Sequence, residues 1–145
     1  MKPEELMIGD WVIRKGVPKE PMRVYDIKTS VGIVYLDQDG RGVIEKFENI
    51  EPIPLTSEIL KKNEFKKNIY YYSSLSYETY RLPKQEIFIG YHIVKWFEED
   101  AWTIIHNIHD DGDYGFDYDE VISIQYVHEL QHILKLCKIE KEIIL

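Results

Sequence analysis

Five residues near the C-terminal end of the chain carry its sharpest chemical pattern: His128-Glu129-Leu130-Gln131-His132. On a helix, positions four apart project from one face, so two imidazoles so spaced can grip one Zn²⁺. The glutamate between them can then act as general base toward a metal-bound water. This chemistry makes His128 and His132 candidate zinc ligands and Glu129 a candidate catalytic base. A third protein ligand is required, and only 13 residues follow His132, with Glu140 and Glu142 as the only downstream carboxylates. A second histidine pair, His106 and His109, runs into Asp110, Asp111 and Asp113 and could supply that ligand. Nothing in the sequence brings the two pairs together.

Over those five residues the chain resembles a zincin metalloprotease, which would imply a zinc-dependent hydrolase. The longer metzincin pattern is absent, because Lys135 stands where its glycine would be. At about 100° per residue, the apolar stripe of this helix runs through Val127, Leu130 and Leu134. His128 and His132 fall nearly opposite it, beside Gln125 and Lys135, on a face that nothing obvious in the sequence covers. The zinc hydrolase is therefore the alternative reading rather than the leading one.

Other chemistries are weaker. An EF-hand loop would need an oxygen ligand at position five and glycine at six. Counting from Asp111 through Asp113, Gly115 falls at five and Phe116 at six, so the pattern fails. Neither a phosphate-binding glycine loop nor a GxSxG elbow is present. Cys137 lacks an identifiable histidine partner and reads as a small buried hydrophobe. Tyr70, Tyr71, Tyr72, Tyr77 and Tyr80 could stack bases or sugars, but as a group they read better as packing faces of a sheet.

The elements that must position these residues fall into two parts. Residues 1–54 read as short strands broken by turns: Trp11 to Ile13, Met22 to Ile27, Val31 to Leu36, Gly42 to Phe47 and Glu51 to Ile53. The Asp37-Gln38-Asp39-Gly40 stretch reads as a hairpin loop, and Glu48 to Ile50 as one tight turn. Such spacing predicts a small barrel or sandwich. Thr56 can cap a short helix that stops at Asn63. Strand-formers then recur at 69–72, 77–82, 87–89, 93–97 and 102–105, with short connections that favour an antiparallel meander. Residues 98–120 hold nine Asp or Glu and no Lys or Arg, and read as a solvated hairpin loop. Ser123 to Cys137 is the strongest helical pattern, with Ser123 as N-cap, and Glu142 to Leu145 reads as a final strand. The expected fold class is α+β: a small barrel at 1–54, then at 55–145 an antiparallel sheet packed with one long C-terminal helix.

Composition narrows the function classes. The chain is 44% hydrophobic and 13% aromatic, enough to exclude a disordered polymer. Its net charge is −8, with the surplus in residues 51–145, so it lacks the positive footprint that binding nucleic acid requires. Lys61, Lys62, Lys66 and Lys67 form the one small basic cluster. A single cysteine excludes an internal disulfide and suits a reducing compartment. With no signal-like start and no apolar run near the roughly 18 residues of a membrane span, a cytoplasmic protein is expected, without a membrane partner.

Three segments carry a wider resemblance. Glu5-Leu6-Met7-Ile8-Gly9-Asp10-Trp11-Val12, the stretch from Val43 through Ile50-Glu51-Pro52-Ile53-Pro54 to Asn63, and Ile124-Gln125-Tyr126-Val127-His128-Glu129-Leu130-Gln131-His132 are similar to a family of small uncharacterised proteins of Bacteroides-type bacteria and their prophages. In that family the last segment reads Tyr-Val-His-Gln-Leu-Gln-Asn. The resemblance thus implies that Glu129 and His132 are departures and that HExxH is an accident of this member. The Ile-Gly-Asp-Trp-Val opening is similar to the first strand of SH3-like barrels, including KOW and Tudor types, which implies an SH3-like barrel at 1–54 and no enzyme activity. The leading expectation is a non-enzymatic interaction module with a protein partner, Trp11, Tyr25 and Tyr35 being the first candidates for a groove. Trp11 also reads as barrel core. An assembly protein of a mobile element, without ligand, is the competing expectation.

Overall fold

The computed structural model describes residues 1–16, 19–72, 75–81, 91–95, 101–110 and 116–145. The chain divides into two compact units. One comprises Met1–Pro54 with Tyr126–Leu136, the other Leu55–Gln125 with Cys137–Leu145. The helix expected to pack in the second part therefore belongs to the first.

The first unit holds five strands: β1 (Trp11–Arg14), β2 (Glu20–Lys28), β3 (Ile33–Gln38), β4 (Arg41–Lys46) and β5 (Ile50–Pro52). They form one antiparallel sheet in the order β4-β3-β2-β1-β5. Alternation places Val12, Met22, Val24, Val34 and Leu36 on the buried face, where Leu6, Phe47 and Ile50 join them in one cluster. Val12, not Trp11, is the core residue of β1; Trp11 is only half-buried.

Among the described residues no pairing joins β4 to β5, so the sheet is open where a closed barrel was expected. The three residues of β5 end in Pro52, which has no N–H to donate to a further partner. The β3–β4 turn is tighter than the four-residue loop read from sequence. Asp39 and Gly40 have φ of 52° and 78°, the signature of a two-residue type I′ turn.

The second unit begins with α1 (Ser57–Lys62), where the backbone N–H of Ile59 donates to the Thr56 hydroxyl oxygen at 3.3 Å, as the N-cap reading predicts. Strands β6 (Lys66–Tyr72), β7 (Leu75–Arg81), β8 (Tyr91–Lys95), β9 (Trp102–Asp110) and β10 (Phe116–Ile124) follow as an antiparallel meander. The strand expected at 87–89 lies outside the described residues.

Two sequence readings are corrected here. Much of the acidic stretch is strand, paired across β9 and β10 with two register shifts, rather than free loop. The last four residues form no strand. Instead the Asn63 side chain satisfies their backbone, accepting from Ile144 N at 2.8 Å and donating to Ile144 O at 2.7 Å. Trp102 is 2% exposed, donates Nε1–H to the Leu55 carbonyl at 2.9 Å and meets Tyr80 edge-on at 5.6 Å. Tyr80 is fully buried, and burial, followed by the Glu78 hydrogen bond, pushes its hydroxyl up to about 12.

No helix among the described residues is long and apolar enough to cross a membrane. Trp102→Phe keeps most of the packing but strands the Leu55 carbonyl, and is expected to cost about 1–3 kcal/mol in urea denaturation.

Candidate functional site

The final helix, α2 (Val127–Leu136), starts later than its sequence pattern suggests, because Ser123 and Ile124 complete β10. Its N-cap is Tyr126, whose backbone N–H donates to Glu129 Oε2 at 2.9 Å. Glu129 is the third helical residue and reaches back as a capping-box glutamate does. The carboxylate that HExxH chemistry would use as a base thus holds the helix start.

The next turn grips the N-terminal segment. Gln131 Oε1 accepts from Trp11 N at 3.1 Å, and its Nε2 donates to the Gly9 carbonyl at 3.2 Å. His132 Nε2 lies 3.0 and 2.8 Å from the two oxygens of Asp10. Asp10, 2% exposed, also accepts from Met7 N at 2.7 Å across a turn in which Gly9 has φ of 97°. That positive φ is why glycine stands there.

The histidine face of α2 is therefore covered, contrary to the wheel-based expectation. His128 is 4% exposed, its ring lying 5.8 Å from Tyr126 in a stacked geometry and 5.6 Å from His132 edge-on. Nδ1 of His128 is sealed and makes no hydrogen bond. Burial pushes the His128 pKa down, only partly offset by the negative charges of Asp10 and Glu129. Met1, Glu5, Pro52, Tyr126, His128, Glu129 and His132 line a partly open cavity of about 250 Å³.

A resident zinc does not fit this donor set as arranged. Nε2 of His132 is held by Asp10, and Glu129 holds the Tyr126 N–H. Among the described residues no group of three or more His, Cys, Asp or Glu is disposed to hold a metal. His106 and His109 sit on β9, in the other unit from α2, and Asp111, Asp113 and Gly115 lie outside the described residues.

Of the basic cluster, Lys67 pairs with Glu78 and Lys62 donates to the Leu145 carbonyl, so two of its four charges are engaged locally. Cys137 falls just past the end of α2 and is half-buried.

A second site lies on the open face of the first sheet. Tyr25, Tyr35, Leu36, Asp37, Gly40, Gly42, Val43 and Ile44 line a groove of about 530 Å³. Tyr25 follows the buried Val24 on β2, so alternation puts it on this face, beside a backbone irregularity. Val24 pairs with Leu36 and Asp26 with Tyr35, so Tyr25 is the extra residue of a bulge in β2. Tyr25 is 71% exposed. Tyr35 pairs directly with Ile44, itself 59% exposed. Trp11 is not part of the groove; the Arg23 guanidinium lies 4.8 Å from its ring centre. Sequence reasoning thus found Tyr25 and Tyr35 but missed Ile44, Asp37 and the clamp residues Asp10 and Gln131. For Ile44 the signal was an isoleucine on a strand whose partner face already had its core.

No protein-family model, curated protein or solved structure matches this chain.

Two outcomes follow from the α2 geometry. Glu129→Ala removes the cap and is expected to cost about 0.5–2 kcal/mol of stability with or without added zinc. His128 and His92 both have pKa values lowered from 6.5, burial being the larger cause for each. A depressed folded-state pKa gives stability that is complete above about 6.5 and lost as pH falls through the folded value. The urea midpoint is therefore expected to fall between about pH 7 and about pH 5, and His128→Phe to make that fall shallower.

Proposed function

We propose that this protein is a non-enzymatic interaction module that binds a protein partner through the Tyr25–Tyr35–Ile44 groove. One observation carries the reading: two tyrosines and an exposed isoleucine gather on the open face of the sheet around a concavity of about 530 Å³. Exposed aromatic and aliphatic groups gathered in one concavity are what binding hot spots are made of. An SH3-like character of residues 1–54 belongs to the same proposal. It is supported by five short antiparallel strands in which β5 returns to β1, with a single 3₁₀ turn at Phe47–Asn49 between β4 and β5. The net charge of −8 supports a protein rather than a nucleic-acid partner, and the lone cysteine supports a cytoplasmic setting.

Selection from a displayed peptide library against the whole protein tests this. Selected peptides are expected to shift the amide resonances of Tyr25, Tyr35 and Ile44 and to lose about tenfold or more in affinity for Tyr25→Ala, a hot-spot-sized effect. Stability of Tyr25→Ala should change by no more than about 0.5 kcal/mol, since the side chain is exposed. No selection above background, or equal binding to Tyr25→Ala, would end the proposal.

A further inference from the structure

The groove has an unpaired strand along one side. Strand β4 ends the first sheet, and among the described residues only β3 pairs with it. The two-residue turn at Asp39-Gly40 makes Gln38 and Arg41 the first hydrogen-bonded pair, and the ladder alternates from there. Leu36 with Val43, and Val34 with Glu45, are the next such pairs. Gly42, Ile44 and Lys46 therefore turn their N–H and C=O groups outward. Two of these three, Gly42 and Ile44, also line the groove. Strand edges are commonly blunted by bulges, prolines or charges; β4 has Arg41, the inward Glu45 and Lys46 toward its ends but none of these in its middle, Gly42-Val43-Ile44.

Charge sets the occupant. Asp37 is the one acidic side chain among the lining residues, and no Lys or Arg lines the groove. The faces of Tyr25 and Tyr35 add the negative potential of aromatic rings. Asp39 sits in the adjoining turn with Arg41 beside it, Arg23 stands opposite Asp37 but holds its guanidinium 4.8 Å from the Trp11 ring centre, and Asp26, opposite Tyr35, keeps Lys28 at 3.3 Å.

We infer that β4 accepts an extended basic peptide segment as an added strand. The segment's backbone hydrogen-bonds to Gly42 and Ile44, an apolar side chain rests on Ile44 and Tyr35, and an Arg or Lys lies over the tyrosines toward Asp37. Strand addition takes affinity from main-chain bonds and specificity from alternate side chains. This inference rests on the groove being the binding surface.

Two blocked hexapeptides, one alternating valine with arginine and one alternating valine with glutamate, are titrated into the whole protein by calorimetry and amide NMR. The arginine peptide is expected to bind about tenfold or more tightly than the glutamate peptide and to shift Gly42 and Ile44, and Asp37→Asn to narrow that ratio. Gly42→Pro removes an outward N–H without touching the β3 ladder and should weaken binding about tenfold, whereas Gly42→Ala should not, its added Cβ meeting only the Leu36 carbonyl at 3.9 Å. N-methylating one alternate set of peptide amides should abolish binding, and this arm needs no altered protein.

Equal binding of the two peptides, or tolerance of N-methylation at both sets, overturns the inference. So does a dimer in sedimentation that Gly42→Pro dissolves, since a second copy would then occupy the edge. If library-selected peptides occupy the Tyr25 surface while the arginine peptide does not, strand addition fails and the interaction module stands. If neither binds, both fall.

Discussion

A carboxyl group that is 98% removed from water needs partners for its oxygens, and Asp10 is that group in the first unit. Its oxygens take the Met7 N–H and His132 Nε2, while its own backbone carbonyl accepts from Val24 N at 2.9 Å. The turn at Gly9, the start of β1, the middle of β2 and the second turn of α2 all meet at this residue. Gln131 repeats the tie one position earlier on the helix. Bringing residues 122 positions apart together has an entropic cost, but that cost grows only slowly with loop length. Several charge-assisted and neutral hydrogen bonds at one locus can offset it.

This locus also explains what becomes of the HExxH sequence. Spacing that could aim two imidazoles at a metal can equally aim them at a neighbouring strand. Here His132 meets a carboxylate, Gln131 meets backbone and Glu129 closes the helix start. The pattern is read correctly as one helix face, but its partner was invisible, because Asp10 looked like nothing more than half of a Gly-Asp turn. Local signals fared better. Thr56 caps its helix, the 1–54 strands lie close to where alternation puts them, and the second sheet is the meander that short connections favour. Failures came where a distant side chain decides. Asn63, read as a mere helix stop, takes the backbone bonds that a final strand would have needed, and strand β10 claims the residues that helical periodicity assigned to α2.

The groove shows a subtler limit. Tyr25 and Tyr35 were identifiable by type, yet ten residues apart on two strands they say nothing about facing one another. Alternation from the buried Val24 puts Tyr25 on the open face, but an extra residue in β2 then shifts the register, so that Asp26 rather than Tyr25 stands opposite Tyr35. Strict alternation, the rule by which strands are recognised, is the rule a bulge suspends.

The division of the first unit into residues 1–54 and 126–136 has a temporal side. A ribosome releases the five strands of the first sheet long before α2 exists. Until then Asp10 has no imidazole, and Gly9 and Trp11 have no glutamine to bind. The residues of the second unit from Leu55 to Gln125 all emerge in that interval. The helix that completes the first-made unit is thus synthesised only after residues 55–125, so the N-terminal sheet must wait in an unfinished state, and chain breakage before residue 126 would leave it there.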